Sequence, residues 1–165
     1  ELRYTVYMMK NENKLWIFDV DGTLSNNDHR IRHLNQHNKK DWDKFFAEQH
    51  LDDPYDAVFE IMNGMTRLGQ KCIVITARDE RFRNVTLEWI NEHYDWGFKS
   101  EDLYMRGNGD RRDDDFIKLE ILKDLLNKNP LYNVMGIFED RHRVIDSWRE
   151  AGYYVFECNQ SRTEF

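Results

Sequence analysis

Short apolar runs alternate along the chain with longer stretches in which apolar residues recur every three or four positions. Five of the runs have the length and near-continuous hydrophobicity of strands that are buried on both faces, as in parallel sheets. They occupy residues 15–18, 72–75, 103–105, 134–138 and 153–156. Residues 4–8 also have an extended pattern, and they predict a further strand at the edge of the sheet.

The stretches between these runs have the spacing of amphipathic helices. The first helix is expected to begin at Pro54, with Asp53 as its cap, and to end near Gly69. The others are expected over residues 79–94, 115–129 and 141–151. Strands that alternate with helices require right-handed crossovers between parallel strands. The sequence therefore predicts an α/β fold, a three-layer α/β/α sandwich around a mainly parallel, Rossmann-like sheet.

Residues 25–53 depart from this alternation, because they are polar and have little strand character. We interpret them as a small helical cap insertion within a single domain that covers residues 1–165. The insertion contains Trp42, Phe45 and Phe46. These rings have two interpretations: they pack against the main domain, or one of them stacks on a nucleobase.

Composition and charge restrict the possible functions. Hydrophobic residues make up 40% and charged residues 33% of the 165 residues, as in a soluble globular protein. The formal net charge of -7 argues against a broad basic face, so any contact with nucleic acid should be local. No apolar run approaches the roughly 18 residues of a membrane span, and no signal peptide is evident. We expect a cytoplasmic location, no membrane contact and no stable protein partner.

Polar groups follow three of the predicted strands. Asp19 and Asp21 come after the first, Thr76 ends the second, and Glu139 and Asp140 end the fourth. Because ligands bind beyond the carboxyl ends of parallel strands, we expect these groups to converge. Crowded carboxylates repel each other unless a cation lies among them, and oxygen ligands without Cys or His favour Mg²⁺. The alternative is that these residues only cap the helices that follow them. Capping can explain any one of them, but it is a poor explanation for all of them together.

The loop after the first strand is the most informative segment. Asp19 and Asp21 are separated by one residue, and Gly22 permits a positive φ that brings backbone N–H groups close to an anion. A nucleophile, a proton donor and a phosphate-binding loop are thus present within a few residues. An EF-hand also has alternating aspartates, but the later ligands and the glutamate of its loop are missing here.

Four segments, in order, resemble the motifs of the haloacid dehalogenase (HAD) superfamily. Residues 18–24 (FDVDGTL) resemble the first motif, residues 75–78 (ITAR) the second, Lys118 the lysine of the third, and residues 138–140 (FED) the fourth. Two further stretches, residues 105–118 and 139–149, resemble the 3′-phosphatase domain of phage polynucleotide kinase-phosphatase.

This sequence departs from that family at two positions. Thr76 stands where a serine is usual, and Glu139-Asp140 where aspartates are paired, but both changes keep the chemistry. A P-loop is not present upstream, so we expect no kinase activity from the chain as given.

The resemblance implies a phosphatase that works through a covalent intermediate. Asp19 would attack phosphorus to form an aspartyl-phosphate. Asp21 would protonate the leaving oxygen and later accept a proton from the attacking water. Lys118 and Thr76 would stabilise the transferring phosphoryl group.

The resemblance also implies a metal site and a substrate site. Mg²⁺ would be held by Asp19, by the backbone carbonyl of Asp21 and by Asp140. Glu139 would either support the metal through water or orient Lys118. The residues expected to bind substrate are Gly22, Thr23, Arg78, Arg106 and Arg112.

Three functions are compatible with this sequence. The favoured one is a Mg²⁺-dependent phosphomonoester hydrolase that removes a terminal 3′-phosphate from a nucleic-acid end or nucleotide, because the small insertion should leave an entrance for a polymer. The alternative, a phosphatase of free nucleoside monophosphates, is favoured by the acidic pI of about 5.4. A non-catalytic binding protein on the same fold is the third, although the implied nucleophile, acid, lysine and metal ligands are all present.

Overall fold

The computed structural model describes residues 11–35 and 40–158. In chain order the strands are β1 (Lys14–Phe18), β2 (Ser25–Asn26), β3 (Asp53–Pro54), β4 (Lys71–Asp79), β5 (Leu103–Arg106), β6 (Asn133–Glu139) and β7 (Val155–Glu157). The α-helices are α1 (Trp42–Ala47), α2 (Asp56–Arg67), α3 (Arg83–His93), α4 (Asp114–Lys128) and α5 (His142–Glu150). The strand predicted at residues 4–8 lies outside the described ranges. Within those ranges no helix is long and apolar enough to cross a membrane.

A five-stranded parallel sheet forms the centre, with the order β5-β4-β1-β6-β7. Strands that follow each other along the chain are joined through helices, as parallel pairing requires. The order places β1 between β4 and β6, so the ends of these three strands are neighbours. The predicted α/β fold with a mainly parallel sheet is confirmed.

Alternating residues of β1 point to opposite faces of the sheet and divide the core in two. Leu15 and Ile17 belong to a buried cluster with residues of α4 and α5, among them Leu122 and Trp148. Phe18 belongs to a second cluster, which it shares with residues of α2 and α3. Because a strand has a period of two, a run that is apolar throughout supplies both faces. The two clusters are the interfaces of the predicted three-layer sandwich.

The insertion is bounded by a two-stranded antiparallel sheet, in which Ser25 pairs with Pro54 and Asn26 with Asp53. Between these strands lie the 3-10 helices Asp28–His33 and Gln49–Leu51, with α1 between them. A small apolar cluster of its own holds the segment together, and the buried members of the cluster are Ile31, Leu34 and Phe45. The segment is therefore short and mainly helical.

Several boundaries differ from the sequence prediction, most notably at the start of α2 and at the end of β4. The helix expected at Pro54 begins at Asp56, because Pro54 pairs in β3 and Tyr55 donates its N–H to the Leu24 carbonyl at 2.8 Å. Strand β4 continues beyond Thr76 to Asp79, and α3 begins only at Arg83, after a 3-10 turn. Long-range strand pairing overrides the local signals at both places.

Candidate active site

Three carboxylates converge where β1 and β6 end. Asp19 follows β1, and its backbone N–H donates to the Phe138 carbonyl of β6 at 3.0 Å. Glu139 is the last residue of β6, and Asp140 follows it. One carboxylate oxygen from each of Asp19, Glu139 and Asp140 lies within 4.8 Å of the others, and all three residues are buried. The sheet thus brings together residues that are about 120 positions apart in sequence.

Lys118 enters this cluster from α4. Its Nζ lies 2.8 Å from Asp19 Oδ1 and 2.7 Å from Glu139 Oε2. Burial alone would lower the pKa of the Lys118 ammonium, but the charges of the two carboxylates outweigh it and raise the pKa. Lys118 therefore stays charged beside Asp19.

Glu139 holds Lys118 on one side and the following backbone on the other. Its Oε2 accepts from Lys118, and its Oε1 accepts from the N–H groups of Asp140 at 3.3 Å and Arg141 at 3.4 Å. Of the two roles left open for Glu139, these contacts favour orienting Lys118.

The cluster fits a divalent cation. Burial is the largest cause that raises the pKa of both Asp19 and Asp140, followed by the charge of Glu139. The mutual repulsion of these carboxylates would be relieved by a positive ion, and a set of only oxygen ligands suits Mg²⁺. Thr23 donates its hydroxyl to Asp140 Oδ1 at 3.4 Å. The donor set is therefore suited to the metal that the sequence predicts.

The loop after β1 requires a glycine for two reasons. Gly22 has a φ of 82°, and a Cβ built on it would lie 2.1 Å from Asp140 Oδ2. The N–H groups of Gly22 and Thr23 donate to the carbonyls of Ser25 at 2.9 Å and Val20 at 3.1 Å, so they close the loop itself. Their predicted contact with substrate stays a prediction.

Asp21, the expected proton donor, is held by two arginines. Arg78 donates to both of its oxygens, at 2.9 and 2.8 Å, and Arg30 Nη2 donates to Oδ1 at 2.6 Å. Burial would raise the pKa of the Asp21 carboxyl, but the charges of Arg78 and Arg30 outweigh it and hold the pKa well below its usual value. With these ion pairs intact Asp21 is held as a weakly basic carboxylate, and it can carry a proton for transfer only after one of the pairs loosens.

Both arginines are anchored in turn by the insertion. Arg30 donates through Nε and Nη2 to Asp52 and through Nη1 to the Phe45 carbonyl at 2.8 Å. Arg78 donates to Gln49 and lies 3.3 Å from Asp52. The guanidinium of Arg78 is fully buried among these partners. Its predicted contact with substrate stays a prediction, and the observed contacts make it a residue that positions Asp21.

Sequence reasoning missed Arg30, Asp52 and Gln49. An arginine or a carboxylate in a polar segment is usually exposed, so the local pattern contains no signal for these residues. The insertion is thus more than a cover, because it supplies charged groups that fix the candidate acid.

Replacing Arg30 by Ala is expected to destabilise the protein by about 3–5 kcal/mol, because it leaves the buried Asp52 and the partly buried Asp21 with fewer positive partners. The measurement is urea unfolding followed by tryptophan fluorescence. Arg32→Ala is the matched control: Arg32 lies in the same 3-10 helix but pairs at the surface with Glu48. It should change the unfolding free energy little. Equal effects of the two variants would contradict the buried network.

Thr76 and Asp114 line the same small cavity as Asp19 and Lys118, whereas Arg106 and Arg112 line the clefts beside it. Thr76 is buried, and its hydroxyl accepts from the Arg78 N–H at 3.2 Å. Asp114 was not predicted as a site residue, although it lies one helical turn before Lys118 and so shares its face of α4. Arg106 and Arg141 both donate to the Asp114 carboxylate.

The loop before α4 contains three arginines with different surroundings. Arg106 donates to the carbonyls of Ala77 at 2.9 Å and Arg112 at 2.7 Å, as well as to Asp114. Arg112 pairs with Asp110 and Glu120. The exposed Arg111 makes no hydrogen bond or ion pair with the described part of the chain. Substrate binding by Arg106 and Arg112 stays a prediction, whereas Arg111 has donors available for a ligand.

Three adjoining cavities meet at this site. The central cavity, of about 40 Å³, is lined by Asp19, Asp21, Thr76 and Lys118. A large cleft of about 1210 Å³ and a small cleft of about 380 Å³ lie beside it. Trp42 lines all three spaces, and Arg111 lines both clefts. A molecule larger than a phosphate group therefore has two directions in which to extend.

Three solved structures are similar to this chain. A chain in the structure of the Pnkp1/Rnl/Hen1 complex is 26% identical, with a TM-score of 0.67 over 88% of this chain and 45% of that chain. A chain in the structure of the Pnkp1/Rnl/Hen1 RNA repair complex is also 26% identical, with a TM-score of 0.66 over 88% of this chain and 42% of that chain. The chain thus spans less than half the length of these two relatives. The Class C acid phosphatase from Bacillus anthracis with tungstate bound shares the fold, at 11% identity and a TM-score of 0.60 over 84% of this chain and 56% of that chain.

No similarity to a curated protein sequence is found. The family described as the polynucleotide kinase PNKP phosphatase domain, however, matches residues 13–162, which is most of the chain. The resemblance that the four motifs predicted is confirmed by this match. The chain therefore belongs to the family of polynucleotide kinase PNKP phosphatase domains, and it is a phosphatase of the HAD type.

Proposed function

We propose that the protein removes a terminal phosphate, with preference for the 3′ position, from a nucleic-acid end. The reaction would proceed through an aspartyl-phosphate on Asp19 and would depend on Mg²⁺. The observation that carries this proposal is the position of Asp19, which is ion-paired with Lys118 and lies beside two further buried carboxylates. The membership of the chain in the PNKP phosphatase family supports the substrate class.

The proposed reaction has two displacements at phosphorus. In the first, a carboxylate oxygen of Asp19 bonds to phosphorus while the ester oxygen leaves. Asp21, which takes up a proton before this step once an ion pair to Arg30 or Arg78 loosens, gives that proton to the leaving oxygen. In the second, water attacks the aspartyl-phosphate and gives its proton to Asp21, which frees Asp19 and inorganic phosphate. Lys118 and Thr76 hold the phosphoryl oxygens throughout. The ion pairs of Asp21 with Arg30 and Arg78 orient its carboxylate but lower its basicity, so in this proposal they loosen for each proton transfer.

Mg²⁺ would be held by Asp19, Asp140 and the backbone carbonyl of Asp21. When bound it supplies positive charge that offsets the charge of the phosphate ester and of the attacking carboxylate. Glu139 acts in this proposal through Lys118, whose ammonium it keeps beside Asp19.

A polymer end, rather than a free nucleotide, is favoured by the surroundings of the central cavity. The reacting phosphate would occupy that cavity, and the clefts beside it leave room for further nucleotides. We propose Arg111 as the contact for a phosphate beyond the reacting one, because it lines both clefts and has no partner in the described part of the chain. The competing substrate, a free nucleoside monophosphate, has no second phosphate for Arg111 to bind.

A substrate panel with Mg²⁺ tests this proposal. It compares 3′-phosphorylated oligonucleotides, 5′-phosphorylated oligonucleotides, free mononucleotides and a small aryl phosphate, on the wild type and on Arg111→Ala. The wild type should prefer the 3′-phosphorylated oligonucleotide. Arg111→Ala should raise KM for that substrate and lower the slope of log KM against log salt by roughly 0.7, the value for one phosphate contact on a single strand.

Two controls accompany the panel. Turnover of the aryl phosphate should be unchanged by Arg111→Ala, since that substrate has only the reacting group. Arg67→Ala removes another exposed arginine, at the end of α2, which lines none of the three cavities. A wild type that is most active on free mononucleotides would contradict the proposal that the substrate is a nucleic-acid end.

A further inference from the structure

The aromatic residues of α1 differ in their surroundings. Phe45 is 1% exposed and packs within the insertion, with the Arg30 guanidinium 4.2 Å from its ring centroid. Trp42 is 39% exposed and lines the central cavity together with Asp19. Of the two interpretations of these rings, packing therefore describes Phe45, and Trp42 is left available for a ligand.

The indole of Trp42 is supported by its neighbours. Its ring stacks on Phe46, with 6.0 Å between the ring centroids and 24° between the ring planes. It also meets Phe45 edge-on, with 5.7 Å between the centroids. Phe46 in turn contacts Phe82, with 5.4 Å between the ring centroids. Phe82 directly precedes α3 in the main domain. A ring that is already held in this way loses little conformational entropy when a ligand stacks on it.

The position of Trp42 places it beside any group attached to a phosphate in the central cavity. It lines that cavity and both clefts, so a nucleoside that leaves the cavity in either direction passes the indole. Cationic groups accompany it: Lys40 Nζ lies 5.6 Å from the indole centroid, and Arg81 lines the large cleft. An aromatic ring beside cations is the combination that binds the bases and the backbone of nucleic-acid strands.

We propose that Trp42 is the stacking platform for the base of the terminal nucleoside, the one that carries the reacting phosphate. The proposal rests on the proposed function, which it extends from the phosphate to the base. Any of the bases would serve, because each presents a π face to the indole. The insertion then has two tasks: it fixes Asp21 through Arg30, and it binds the end of the strand through Trp42.

The test is a two-by-two comparison of protein and substrate. One substrate is a 3′-phosphorylated oligonucleotide, and the other is the same oligonucleotide with an abasic terminal residue. In the wild type, loss of the base should lower kcat/KM by about 5- to 150-fold, the range for one stacked base. Trp42→Ala should lower kcat/KM for the intact substrate by a similar factor but should leave the abasic substrate almost unaffected. Trp42→Phe should retain most of the preference for the intact substrate.

Matched measurements separate stacking from damage to the fold. Because each preference is a ratio within one variant, a general loss of active protein cancels. Trp96→Ala is the control: Trp96 is 52% exposed and lines none of the three cavities, so the variant should keep the wild-type ratio. Equal losses on both substrates in Trp42→Ala would overturn the stacking role. A wild type that hydrolyses an aryl phosphate but neither oligonucleotide would instead overturn the proposed function itself.

Discussion

Replacing Asp19 by Asn is expected to lower kcat by at least about 10²-fold, because the amide keeps the shape of the side chain but is a poor nucleophile. The loss should be similar for a 3′-phosphorylated oligonucleotide and for a small aryl phosphate, since both need the same attacking oxygen. Rapid quenching with a ³²P-labelled substrate provides a second measurement. The wild type should carry label that hydroxylamine removes, as an acyl phosphate requires, and the variant should carry none.

The control for this variant is Asp124→Asn, which changes an exposed carboxylate on α4 and should leave kcat unchanged. Thermal melting shows whether Asp19→Asn is folded, which matters because Asp19 is buried and ion-paired with Lys118. Near-normal turnover by a folded Asp19→Asn variant would exclude the covalent mechanism.

Removing divalent metal with EDTA is expected to abolish activity, and Mg²⁺ should restore it. The buried carboxylates of Asp19, Glu139 and Asp140 repel one another, so a bound cation should also stabilise the folded state and raise the melting temperature. Ca²⁺ should raise the melting temperature without supporting turnover, because it takes more ligands at longer distances.

Asp140→Asn tests whether this cluster is the metal site. The variant should lose most of the rise in melting temperature with Mg²⁺, whereas the exposed Asp124→Asn should keep it. Full activity after exhaustive chelation would show that the acidic cluster serves another purpose, such as holding Lys118.

The five strands of the central sheet, and the carboxylates that follow β1 and β6, followed from the sequence by itself. An apolar run without alternation indicates a strand covered on both faces, and parallel strands all end at the same edge of their sheet. The positions of Asp19 and Glu139 after and at the ends of their strands were therefore sufficient to predict that they meet, whereas Thr76 lines the same cavity from within β4. The motif order was sufficient for Lys118, which a helical pattern alone would leave as an ordinary surface lysine.

Only the tertiary structure decided how the charged side chains are paired. Nothing in the local sequence distinguishes Arg106 and Arg112 from Arg111, yet the first two are engaged by internal partners and the third is not. Likewise, Arg30 and Asp52 lie 22 residues apart in a polar segment, and together they hold the candidate acid. The tertiary structure also decided that Pro54 pairs in a strand instead of beginning a helix. Such partners are brought together by chain packing, whereas local spacing reports only which face of a helix or strand a residue occupies.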